Sequence, residues 1–222
     1  MIKSDSLTFS YTSAPPYVLD GISFEIHDGE YVSILGENGC GKSTLIRLML
    51  KFLKPTGGSL ISKAKRTGYV PQKNDFTNTS FPITVYEALN SYRKLLKIKD
   101  NSVIDENLAL VGMSDFKHSL MGNLSGGQSQ KIMIARALTG NPDLLILDEP
   151  SVGLDVGSQK DIYSFLRKIN HENGITIVSV EHNLDAAITN STLIYHLVCG
   201  QGHMCSPQHY ADEFINRKER NE

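Results

Sequence analysis

Hydrophobic and polar residues alternate along Leu7-Thr8-Phe9-Ser10-Tyr11 and again from Val18 to Ile26. Ala14-Pro15-Pro16 breaks the chain between them and His27-Asp28-Gly29 turns it afterwards, so both stretches predict antiparallel strands. Tyr31 to Leu35 is instead a nearly unbroken apolar run, the pattern of a strand buried on both faces of a parallel sheet. From Ser43 to Leu53 the spacing turns helical, with Leu45, Leu48, Met49 and Phe52 on one face and Pro55-Thr56-Gly57-Gly58 as a stop. Short strands are expected around Ser59 to Ser62 and Thr67 to Val70. From about Thr77 to Thr139 no strand pattern recurs, and residues 84–97, 103–111 and 128–138 all carry helical spacing. Leu144 to Leu147 returns to buried strand, Val156 to Asn170 to helix, Ile175 to Val180 to strand and Leu184 to Ile188 to a short helix. Thr192 to Val198 alternates, the chain turns at Gly200-Gln201-Gly202, and a helix is expected from about Pro207. Strand–helix alternation around a helical insert predicts an α/β fold with a mostly parallel sheet. Its divisions are an N-terminal antiparallel β subdomain and core over about 1–76 and 140–222, with an inserted α-helical subdomain over about 77–139.

Composition narrows the class. With 40% hydrophobic and 21% charged residues over 222 positions, the chain is long and apolar enough to bury a sizeable core. A formal net charge of -2 argues against a nucleic-acid partner. No run approaches the ~18 apolar residues of a membrane span, and Met1-Ile2-Lys3-Ser4-Asp5 lacks the apolar core of a signal peptide. Cys40, Cys199 and Cys205 make an odd set without a disulfide framework. A cytoplasmic protein with reduced thiols is expected, recruited by a partner if it acts at a membrane.

Gly36-Glu37-Asn38-Gly39-Cys40-Gly41-Lys42-Ser43 fits G-x-x-x-x-G-K-[ST], followed by Thr44, between an apolar strand and a helix. Glycines let the backbone amides wrap phosphates, and the helix N-terminus adds a partial positive charge. Lys42 is expected at the β- and γ-phosphates of ATP and the Ser43 hydroxyl on Mg²⁺. The core is therefore expected to be that of a P-loop NTPase. Asp148 and Glu149 follow a buried strand, at the sheet edge where open α/β folds bind ligands. Asp148 is the candidate for holding Mg²⁺, and Glu149 for polarising the attacking water as general base; a solvated acidic strand end turning at Pro150 is the bland alternative. Leu124-Ser125-Gly126-Gly127-Gln128 opens a further helix, either as an ordinary serine N-cap or as a second anion site.

Taken together these residues resemble the signature of ABC-type ATPases, over nearly the whole chain. By that resemblance Tyr11 stacks on adenine, and Gln72 contacts Mg²⁺ and the attacking water. Asp155, in Ser151-Val152-Gly153-Leu154-Asp155, crosses a dimer interface, and His182 touches the γ-phosphate. The resemblance also implies a head-to-tail pair, in which Ser125 to Gln128 of one copy caps the γ-phosphate held by the Lys42 loop of the other. Cys40 replaces a serine common in the family; beside Lys42 its thiol is expected to have a lowered pKa and to be oxidation-sensitive. Glu181 and Asn183, flanking His182, depart from the family's more common small polar residue and aspartate.

Lys73-Asn74-Asp75 to Phe81-Pro82-Ile83-Thr84-Val85, together with the ending from His196 to Cys205, is similar to manganese and zinc importer ATPases. That implies membrane permease subunits as partners and, indirectly, an extracytoplasmic metal-binding protein. The same tail invites a metal-site reading through Cys199, His203, Cys205 and His209, with His196 nearby. A plain β-hairpin whose alternation sends these side chains to different faces is the competing expectation. Two other readings stand beside transport: a soluble ABC ATPase without a permease, and a P-loop kinase, which leaves Leu124 to Gln128 without a task.

Overall fold

The structure is a computed structural model and describes residues 1–72 and 82–215. The importer-like stretch from Lys73 to Phe81 lies outside the described residues, as does the start of the helical segment expected from Thr77. Along the chain the elements are β1 (Ile2–Phe9), β2 (Leu19–Ile26), β3 (Tyr31–Leu35), α1 (Lys42–Met49), β4 (Gly57–Ser62) and β5 (Thr67–Val70). There follow α2 (Val85–Leu95), α3 (Ser102–Leu110), α4 (Gly126–Leu138), β6 (Leu144–Asp148), α5 (Val156–Asn173) and β7 (Thr176–Val180). The chain continues with α6 (Leu184–Asn190), β8 (Leu193–Val198), β9 (Gln201–Cys205) and α7 (Pro207–Tyr210), which passes into a π-helical turn.

The strands form two sheets. One is antiparallel with three strands in the order β2-β1-β4; the other has six, in the order β5-β6-β7-β3-β8-β9, parallel throughout except where β9 returns beside β8. The unbroken apolar runs occupy the centre of the larger sheet: β3, β6 and β7 are buried at every residue. Their period of two divides the core. Leu144, Ile146, Val178 and Ile34 face the antiparallel sheet and α1, whereas Leu145, Leu147, Ile177 and Tyr31 face α5 and the helices α2 to α4. Leu89, Ile104 and Leu108 of that helical segment join the second core; α2 and α3 pack on each other and on α4, and α4 carries the contact to β5.

One sequence expectation fails at α1. Phe52 does not continue the helix face formed by Leu45, Leu48 and Met49; it lies beyond the helix and is 68% exposed. Lys51 takes a left-handed conformation (φ 61°), and Phe52 N donates to Arg47 O at 2.8 Å, a Schellman-type ending that swings the ring off the apolar face.

Candidate active site

Parallel pairing puts the carboxyl ends of β5, β6, β7 and β3 along one edge, so four loops distant in sequence meet there. Gln72 follows β5, Asp148 and Glu149 close β6, Glu181 and His182 follow β7, and Gly36 follows β3.

The loop after β3 is built tightly. A Cβ on Gly36 would lie 2.2 Å from Leu197 O and 2.7 Å from Cys40 Sγ, so no larger residue fits. Gly41 caps α1 at φ 110° with no side-chain hydrogen bond, leaving the first-turn amides of the helix directed at whatever the loop binds. Lys42 is buried, and its Nζ donates to Gly36 O at 2.6 Å and Glu37 O at 2.9 Å, which holds the ammonium across the loop. Glu37, Asn38, Gly39 and Ser43 are exposed, and Thr44 is buried beneath them. Thr44 Oγ1 is 3.1 Å from the hydroxyl of Tyr11, whose ring is 58% exposed and stands edge-on to Phe9. A flat aromatic face therefore flanks the phosphate loop.

Glu149 is gripped from both sides. Gln72 Nε2 donates to its Oε2 at 2.5 Å, and His182 Nε2 donates to its Oε1 at 2.6 Å. Its backbone is left-handed, φ 52°, and its amide donates to Val180 O at 3.2 Å, which ties the residue to the end of β7. Asp148 is 8% exposed and its Oδ1 is buried with no hydrogen-bond partner among the described residues. Burial and the neighbouring Glu149 push its carboxyl up, and the charges of Arg47, Lys42 and His182 pull it back. A buried oxygen without a donor among the described residues, beside the Lys42 loop and a second carboxylate, fits a divalent cation.

Ser125 to Gln128 forms a capping box: Ser125 Oγ accepts from Gln128 N at 3.2 Å, and Gln128 Oε1 accepts from Ser125 N at 2.9 Å. Ser125 is exposed, and Gly126 is half-buried. Gly127 packs so closely on α5 that an added Cβ would meet Ser158 Oγ at 2.4 Å. Ser158 in turn donates from N and Oγ to Asp155, the cap of α5, at 3.0 and 2.6 Å. This feature does not join the strand-edge cluster. Helix α4 packs on α2, α3, α5 and β5, whereas α1 packs on β4 and β6.

Two other expectations are corrected. The Cys40 thiol is pushed up, not down, because its burial outweighs the attraction of Lys42. In the tail, His203 and Cys205 are two residues apart on β9 and share a face, and His196 pairs directly with His203, their rings 5.6 Å apart. His196, His203 and Cys205 thus share one face of the hairpin, whereas Cys199 lies in its turn and His209 on α7; no group of three or more potential ligands converges among the described residues. Spacing alone also leaves Tyr163 unmarked. It lies on α5, buried between Ser151 and Glu181, and donates to Glu181 Oε2 at 2.6 Å. The one visible signal is a glutamate placed directly after the mostly apolar run of β7.

Comparison with known proteins shows what the whole chain resembles. A family model described as ABC transporter matches residues 19–152, more than half of the chain. A Treponema pallidum protein named a probable metal transport system ATP-binding protein is 50% identical over 215 residues, 97% of this chain and 90% of the relative. The high-affinity zinc uptake system ATP-binding protein ZnuC of Bacillus subtilis is 40% identical over 196 residues, covering 82% and 84%. Among solved structures, cbiO1 of Clostridium perfringens, part of an ABC transporter complex, superposes with a TM-score of 0.85 at 28% identity, covering 98% and 93%. A dimeric ATP-binding cassette in a post-hydrolysis state, bound to ADP and phosphate, gives 0.77 at 27% identity, covering 93% and 99%.

Proposed function

The chain belongs to the ABC transporter family of ATPases, and from that premise we propose that it powers a membrane permease importing a divalent metal ion such as zinc or manganese. The observation that carries the hydrolytic part is the Glu149 carboxylate, fixed between Gln72 and His182 beside the Lys42 loop.

In this reading the amides of Gly36 to Thr44 and the Lys42 ammonium bind the ATP phosphates, and Tyr11 covers the adenine. Lys42 exchanges its bonds to Gly36 O and Glu37 O for phosphate oxygens. Ser43, Asp148 and the Gln72 carbonyl, whose amide nitrogen is committed to Glu149, would hold Mg²⁺. When bound, that ion neutralises charge on the β- and γ-phosphates. Glu149 accepts a proton as water attacks the γ-phosphorus and the β–γ bridging bond breaks to leave ADP. His182 holds the carboxylate from the far side and reaches the γ-phosphate.

Ser125 to Gln128 has no place in the same chain's loop cluster, which supports a head-to-tail pair in which a second copy supplies it, with Asp155 crossing between them. ATP then joins the two copies, and hydrolysis releases them. The metal cargo and the permease rest on the names of the relatives. The helical segment exposes apolar side chains at the end of α2, Leu95 at 74% and Leu96 at 40%, which would suit docking on a partner. No helix among the described residues is long and apolar enough to cross a membrane; from the names of the relatives we place the chain peripherally, on the cytoplasmic face of the membrane that holds the permease. An extracytoplasmic protein would deliver the ion to the permease.

Glu149→Gln tests the scheme. It keeps the shape of the carboxylate and removes its basicity, so ATP hydrolysis should slow by roughly 10²–10⁴-fold while ATP binding persists. Normal turnover in that variant would remove Glu149 from the role.

A further inference from the structure

Behind the Glu149–His182 pair lies a second carboxylate that the hydrolytic scheme leaves unused. Glu181 is 2% exposed and sits between β7 and His182. Its Oε1 accepts from Ser179 Oγ at 2.5 Å and its Oε2 from Tyr163 OH at 2.6 Å. The Tyr163 oxygen is 2.7 Å from Ser151 Oγ, and Ser151 opens the loop that ends at Asp155. Tyrosine has a single hydroxyl proton. With that proton on Glu181, the Ser151 hydroxyl must donate to Tyr163. The chain therefore runs in one direction, Ser151 to Tyr163 to Glu181, for as long as Glu181 acts only as an acceptor.

We propose that Glu181 is a positioning residue for ATP hydrolysis, which through Tyr163 and Ser151 fastens the 151–155 loop to the backbone that carries His182. The proposed interface loop and the proposed partner of the general base are then set by one buried hydrogen-bond chain. The inference rests on the roles given above to Glu149 and His182.

Burial pushes the Glu181 carboxyl up to about 7; the Ser179 and Tyr163 hydroxyls resist the rise and the Glu149 charge adds to it. The ionisable groups facing it are Tyr163 from α5, Glu149 from the end of β6 and Tyr31 from β3, with Arg167 of α5 acting on Tyr31. Once protonated, Glu181 can itself donate to Tyr163. The tyrosine proton then turns to Ser151, and the polarity of the chain reverses. With Glu181 ionised the chain runs from Ser151 through Tyr163 to Glu181, the order the proposal assigns to the working enzyme, so turnover should rise as that group loses its proton.

The test is steady-state ATPase kinetics of the full chain between about pH 6 and 9. Wild type should show a rising limb in kcat around neutrality that is absent from Glu181→Gln. Glu181→Gln and Tyr163→Phe should each lower kcat by about tenfold with KM for ATP held within about twofold. Tyr163→Phe keeps the ring and deletes only the linking hydroxyl, so it carries the test even if Glu181→Gln does not fold. Persistence of the limb in Glu181→Gln, wild-type kcat in Tyr163→Phe, or KM rising as far as kcat falls would overturn the inference. A wild type without ATPase activity would instead sink the hydrolytic scheme itself, which keeps the two failures apart.

Discussion

Glu149 holds a left-handed backbone angle, φ 52°, that a glutamate adopts only at a cost of about 1–2 kcal/mol. The surrounding bonds sustain it: its amide is tied to Val180, and its two carboxylate oxygens are taken by Gln72 and His182. The identity of this residue is legible in the chain as an acid after an apolar run; its strain is not, because strain depends on what β7 and β5 bring to it. Gly36 is the converse. Its place in the loop follows from spacing, and the structure adds the reason: Leu197 O would be 2.2 Å from any Cβ. Since that neighbour is backbone, Gly36→Ala should lower the melting temperature and weaken ATP binding by at least about tenfold. Titration with a fluorescent ATP analogue would check it, and unchanged affinity would show that the loop yields. Glu181 offers a test of stability separate from its kinetic one. Its folded pKa lies above its unfolded one, so its stabilising contribution is complete below about pH 4.5 and is lost as pH rises through about 7. The melting temperature of wild type relative to Glu181→Gln should therefore fall between acidic and mildly alkaline pH. The underlying difference is on the order of 3 kcal/mol. A difference that does not vary with pH would mean that Glu181 titrates like an exposed glutamate.

In the proposed scheme two helix N-termini carry most of the phosphate chemistry, and they begin in opposite ways. Helix α1 starts at Gly41 with no side-chain cap, whereas α4 starts at Ser125 in a reciprocal capping box with Gln128. A capped terminus is satisfied by itself and can wait, already formed, for a phosphate from elsewhere. The box is legible in the sequence as Ser followed three residues on by Gln. The contact of Gly127 with Ser158 is not, since it joins two helices about thirty residues apart and depends on how α4 crosses α5. Gly127→Ala should push Ser158 away from Asp155 and so disturb the first turn of α5. We expect kcat to drop by about tenfold while the monomer binds ATP as before; equal losses in both would place the damage in the fold. The mismatch at Phe52 has a related origin. Helical spacing continues past Met49, but Lys51 turns left-handed without a glycine to announce it.

At the scale of the molecule, local pattern names the strands but not their neighbours. Apolar runs identify β3, β6 and β7 as buried, and the helices between them make a parallel sheet the natural outcome. The order β5-β6-β7-β3-β8-β9 is a long-range fact, and it is what sets Gln72, Glu149 and His182 in one row. The same scale decides where Ser125 can act. Helices α4 and α1 pack on different parts of the sheet and share none of their main neighbours, so a γ-phosphate on the Lys42 loop is expected to meet Ser125 only in a second copy. Glu149→Gln should accumulate as an ATP-dependent dimer, visible by light scattering after size exclusion. Adding Ser125→Arg should return that variant to monomer by placing a bulky cation where the two copies meet. Affinity of the double variant for ATP should stay within about threefold, a difference of less than 1 kcal/mol. The direction of the second result is what matters. If Ser125→Arg abolishes ATP binding by the monomer, the serine belongs to its own chain's site and the head-to-tail arrangement is wrong; if it abolishes only the dimer, ATP binding is also the event that assembles the enzyme.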